Sequence, residues 1–143
     1  MINEELLDLL ILEVEEILKN RKPLIEALQD KWRKNYPSID DLFTKINNIC
    51  VPYYRAKGAL DFLHVCKKKY LGADDNQIQS IKRDVNDLLG ESGRKMNYLR
   101  HRWADSKIGP AADVEDLFKE IQYHISPFFE ITGACYYFKK LMP

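Results

Sequence analysis

A chain of 143 residues has the length of one domain and can bury a substantial core. Its 22 Lys and Arg balance its 22 Asp and Glu. That balance holds on either side of Gly72, which excludes a polyanion-binding tail and disfavours nucleic acid as a general partner.

Asn3 is placed to cap a first helix, with Glu4 and Glu5 facing the positive end of its dipole. Leu7, Leu10, Val14, Ile17 and Leu18 form its apolar stripe, and it is expected to end near Asn20. Pro23 fits the first turn of a second helix carrying Leu24, Ile25, Leu28 and Trp32, which stops at Tyr36-Pro37. Ser38 caps a third helix with Asp41 at the capping-box position and Ile39, Leu42, Phe43, Ile46 and Ile49 inside. Pro52 interrupts that pattern, which resumes through Tyr53, Tyr54, Ala59, Leu60 and Leu63 to Gly72. One helix kinked at Pro52 fits better than two, since no loop residues surround the proline.

The second half repeats this plan. Val114-Glu115-Asp116-Leu117-Phe118, Pro127-Phe128-Phe129 and Gly133-Ala134 match Ile39-Asp40-Asp41-Leu42-Phe43, Pro52-Tyr53-Tyr54 and Gly58-Ala59 at an offset of 75 (118 − 43). Ile78, Ile81, Val85, Leu88 and Leu89 match the stripe of the first helix at an offset of 71 (85 − 14), and Met96, Leu99 and Trp103 match Ile25, Leu28 and Trp32. Gly90-Glu91-Ser92-Gly93 falls where the turn between the first two helices is expected. Four extra residues enter between Ser106 and Ala112. Residues 73–76 serve as linker and cap.

The chain therefore reads as one all-α domain over residues 1–143, a bundle of two tandem repeats, 1–72 and 73–143, with internal pseudo-twofold symmetry. No period-2 runs with hairpin turns are present. Each repeat holds helix A, helix B and a long Pro-kinked helix C. Glycine inside a helix costs roughly 1 kcal/mol against alanine. Its recurrence at Gly58 and Gly133 predicts that the two C helices cross there with their backbones close together. Ala59 and Ala134 lie alongside, and Tyr53, Tyr54, Phe128 and Phe129 wall the crossing. Trp32 and Trp103 read as core anchors.

Cys50, Cys66 and Cys135 are odd in number and lie in apolar helical surroundings, so they read as core filler in a reducing compartment. Neither they nor His64, His101 and His124 have metal-ligand spacing, so no metal and no cofactor are expected. Leu9 to Leu12 is apolar, but acids flank it and it falls far short of the roughly 20 residues that span a bilayer. No signal peptide, no membrane contact and a cytoplasmic location follow as expectations.

Function is best sought where the halves differ. Leu9, Ile11 and Leu12 stand where the second half has Ser80, Lys82 and Arg83. Leu9 and Leu12 lie roughly opposite the Leu7-Leu10-Val14 face, so they bind a partner or a second copy, are covered by residues 138–142, or are simply exposed. Helix B of the second half is basic, with Arg94, Lys95, Arg100, His101 and Arg102 replacing Pro23, Leu24, Gln29, Asp30 and Lys31. Asn97 and Tyr98 lie between Arg94 and His101, on a face opposite the Met96-Leu99-Trp103 stripe. No Gly-rich phosphate loop and no Ser or Cys nucleophile signature is present.

The leading expectation is a non-enzymatic protein–protein interaction module, an adaptor, regulator or inhibitor. Its partner-binding residues are Leu9, Leu12, Arg94, Tyr98, Arg100, His101 and Arg102. Over Arg94 to His101 the chain also resembles the Arg-x4–6-His motif of HEPN ribonucleases, with Lys95 where that family favours Asn, Asp or His. The resemblance implies metal-independent RNA cleavage by Arg94 and His101, with Asn97 between them, at a dimer interface.

Overall fold

The computed structural model describes residues 2–35, 37–105 and 114–142, apart from the side chains of residues 39, 95–96 and 98–105. The described residues are helical, with no strand among them. Trp103 as a core anchor and the insertion between residues 106 and 112 lie outside the description.

Helix α1 spans Glu4–Lys34. Asn3 caps it as expected, its Oδ1 accepting the Leu6 N–H at 3.1 Å. Glu4 and Glu5 lie in the first turn, and Lys31, Arg33 and Lys34 in the last, so both ends complement the helix dipole. The expected break at residues 20–23 does not occur, and Pro23 lies inside α1. Proline removes one N–H and leaves the carbonyl four residues back unpaired. Here that carbonyl belongs to exposed Lys19, where water can serve it.

Helices α2 (Ile39–Lys45) and α3 (Val51–Val65) are joined by a π-helical turn, Ile46–Cys50, and a second π turn, Cys66–Tyr70, extends α3. Ser38 caps α2, its Oγ accepting the Asp41 N–H at 3.2 Å. Pro52 is the second residue of α3. Helix α4 spans Asp75–Asp105 and is likewise unbroken where a turn was expected at residues 90–93. Neither glycine there takes a positive φ, the conformation that ends helices. Asp74 and Gln77 form a reciprocal capping box before α4: Asp74 Oδ1 accepts the Gln77 N–H, and Gln77 Oε1 accepts the Asp74 N–H, both at 2.9 Å. Helix α5 (Val114–Glu120), a π turn (Ile121–Ile125) and α6 (Ser126–Leu141) complete the fold.

Helices α3 and α6 cross at the two expected glycines. A methyl group on Gly58 would fall onto the backbone of Glu130, and one on Gly133 onto the backbone of Arg55. Ala59 is fully buried and Ala134 nearly so. The crossing separates two core regions. On one side Trp32, Leu42, Ile46, Tyr54, Phe118, Ile121, Ile125 and Phe129 pack together, with Tyr53 and Phe128 half-buried against them. On the other, Leu7, Leu10, Ile11 and Val14 of α1 meet Ala56, Leu63 and Cys66 of α3 and Tyr137 and Leu141 of α6. A smaller cluster of Ala73, Ile78 and Phe138, with Phe62 and Ile81 against it, seats α4.

Cys50 and Cys66 are buried, and Cys135 is half-buried. Burial pushes the thiols of Cys50 and Cys66 up to about 12 and about 11. Burial also raises Cys135, against an opposing pull from Lys139. The thiolate is the reacting species. Native protein treated with Ellman's reagent at pH 8 is therefore expected to release thionitrobenzoate rapidly from Cys135 alone. Cys50 and Cys66 should follow only after guanidinium unfolding. Rapid release of three equivalents would contradict this packing.

Candidate functional site

Leu9 and Leu12 are the most exposed leucines on α1, at 64% and 63%. They sit three residues apart and so adjoin on one helix face. Residues one turn away, Glu5, Glu13 and Glu16, are also exposed, so acids rim the leucine pair. Ile11, grouped with them by sequence, belongs instead to the core at 8% exposure. The C-terminal segment does not cover the pair: Phe138 and Leu141 are buried in core clusters while both leucines stay exposed. Two ion pairs fix the flanks of this surface. Lys67 Nζ contacts Asp8 Oδ1 at 2.7 Å, and Lys140 Nζ lies 3.9 Å from Glu13 Oε1.

The basic face predicted on helix B of the second half lies on α4. Arg94 and Asn97 are exposed there. Seven residues of α-helix put Arg94 and His101 about 10.5 Å apart along the axis at nearly the same angular position. The side chains of Lys95, Tyr98, Arg100, His101 and Arg102 lie outside the described residues, so the geometry of the Arg94–His101 pair does too. Among the described residues, no three His, Cys, Asp or Glu side chains gather into a group that could hold a metal ion. No helix among them is long and apolar enough to cross a membrane.

Sequence reasoning missed a groove of about 710 Å³ between α1, α3 and the end of α6. Ile17, Leu24, Pro52, Ala56 and Tyr137 supply its apolar lining, and Asn20, Arg21 and Arg55 its polar lining. Arg21 Nη1 donates to the Asn48 carbonyl at 3.5 Å. Asn48 is four residues before Pro52, so an ordinary α-helix would give this carbonyl the N–H of residue 52, which proline lacks. The Arg55 guanidinium carbon lies 5.5 Å from the centre of the Phe129 ring, a cation–π contact that holds the group in place. Burial raises the Tyr137 phenol, so it stays neutral and can donate. The signal for this groove was present in the sequence as arginines at positions 21 and 55. It was unreadable without knowing that α1 packs across the start of α3.

A second, shallower depression of about 560 Å³ lies by the third π turn, lined by Lys119, Glu120, Gln122, Tyr123 and His124. Tyr123 is 77% exposed and meets His124 edge-on at 4.8 Å.

No protein family, curated protein or solved structure matches the chain. The resemblance between Arg94 to His101 and the HEPN motif therefore stands on those residues alone.

Proposed function

We propose that the protein is a protein–protein interaction module whose docking surface is centred on Leu9 and Leu12. The supporting observation is their exposure: two adjoining leucines, each about two-thirds open to solvent, within a ring of glutamates. Leucines on a helix that already has a full core face on its other side add nothing to the fold. A partner of matching chemistry presents an apolar ridge with basic residues along its edges, either on another protein or on a second copy of this chain.

The scaffold for that surface is, in this reading, an internal duplication. Its support is the sequence match together with the element boundaries. Helices α1 and α4 each hold 31 residues. The α2–π–α3 and α5–π–α6 segments start 75 positions apart (114 − 39), each with a proline near the start of its last helix. Helices A and B of each repeat are then one continuous helix. The repeats share what the fold needs, and the leucine pair belongs to one of them only.

The test is the double variant Leu9→Ser/Leu12→Arg. Exposed substitutions change stability by about 0.5 kcal/mol or less, so its melting temperature and helical circular dichroism should match wild type. Its oligomeric state by light scattering, or its capture of a defined partner, should not. Identical behaviour in both assays would remove this surface from consideration.

A further inference from the structure

We propose that the groove between α1 and α3 binds a small amphiphile that carries an anionic head, carboxylate or phosphate, on an apolar body. Arg21 and Arg55 take the head, and Ile17, Leu24, Ala56 and Tyr137 receive the body.

Three observations carry this. The first is charge. Two arginines line one groove, no carboxylate lines it, and neither arginine has an ion pair among the described residues. Glu13, the acid that acts electrostatically on Tyr137, lies 3.9 Å from Lys140 instead. A guanidinium has five donors. The Arg21 contact to the Asn48 carbonyl and the Arg55 contact to the Phe129 ring orient both groups and use few of them. Guanidinium groups with most of their donors uncommitted suit two-point recognition of carboxylate or phosphate.

The second is the lining. A volume of about 710 Å³ lies within the usual span for small-molecule sites, which combine mostly apolar walls with a few placed polar groups. Leu24 is 42% exposed here, an apolar side chain that a bound hydrocarbon would cover.

The third comes from the matched halves and rests on the duplication. The positions equivalent to Arg21 and Arg55 hold Ser92 and Glu130 (92 − 21 is 71; 130 − 55 is 75). The second half thus keeps the shared architecture without a cation at either place and puts an acid at one. The arginine pair is an addition to the first half, as the exposed leucines are.

Isothermal titration calorimetry tests the proposal with dodecanoate and dodecyl phosphate, each below its critical micelle concentration. Inorganic phosphate and the neutral dodecyl maltoside serve as controls. At least one of the two anionic amphiphiles is expected to bind at a single site, and the preferred one identifies the head. Each of Arg21→Gln and Arg55→Gln should weaken it about tenfold, the loss of one charge-assisted contact. Leu24→Asp, which puts a negative charge at an exposed position of the apolar lining and keeps both arginines, should weaken it by about tenfold or more. Leu9→Ser/Leu12→Arg should leave it unchanged, which separates this site from the protein-docking surface. Equal binding of dodecyl maltoside, equally tight binding of inorganic phosphate, or an unchanged affinity in the arginine variants would each overturn the proposal.

Discussion

Gly58→Ala is expected to destabilise the protein by ~3 kcal/mol, although helix propensity alone predicts a gain of about 1 kcal/mol. The sign decides between the two effects. The added methyl has nowhere to go, because the atoms it meets are the carbonyl oxygen, carbonyl carbon and Cα of Glu130. A flexible side chain could swing aside; the backbone of α6 cannot, unless the whole helix moves away. Gly133→Ala meets the same obstacle in the backbone of Arg55, and the cost should be similar. Gly90→Ala is the control. It lies inside α4 with nothing within 4 Å of the new methyl and no positive φ, so it should stabilise. Urea denaturation followed by circular dichroism measures all three. For a domain of this size the seam variants should lose roughly 10 °C in melting temperature. A neutral Gly58→Ala would mean that α3 and α6 do not meet backbone to backbone.

Trp32→Ala should cost about 3–5 kcal/mol, the range for removing a large aromatic from a packed core. Trp32 is 1% exposed, and its ring lies 5.5 Å from that of Phe118, joining α1 to α5. The indole N–H is buried and has no acceptor among the described residues. An unpaired buried donor costs about 1–3 kcal/mol. Trp32→Phe removes that donor while keeping most of the ring, so it should cost much less than Trp32→Ala, roughly 1 kcal/mol. Chemical denaturation by circular dichroism avoids relying on the fluorophore that is being removed. A loss for Trp32→Phe well above about 1 kcal/mol would show that the indole N–H is paired.

Parts of this molecule were legible from its residues. Asn3 and Ser38 were readable as caps because a short polar side chain before an apolar stripe has one efficient use. The crossing was readable because glycine inside a helix is costly, and it occurs at matched places in both halves. Other parts were not. Pro23 was read as a helix start, since its fixed φ suits that position, yet proline also survives inside a helix whose freed carbonyl faces water. The π turns at Ile46–Cys50 and Ile121–Ile125 have no side-chain signature beyond the prolines that follow them. Of the candidate surface residues, the helix angle picks out Leu9 and Leu12, whereas Ile11 was grouped with them only because the second half has Lys82 at the matched position, and its own angle sets it on the core side. The Arg21–Arg55 groove depends on how α1 lies across α3, and a single helix's periodicity cannot report that.

The glycine crossing also sets an order of assembly. Its two halves lie 75 residues apart in the chain (133 − 58), so a long loop must close before they meet. The helices themselves need only local contacts and form in about a microsecond. The crossing is therefore expected to form late, after the helices themselves. A methyl group placed there acts after the rate-limiting encounter, so in stopped-flow experiments Gly133→Ala should speed unfolding far more than it slows folding. The contact that holds the halves together would then govern how long the protein stays folded and have little say in how quickly it folds.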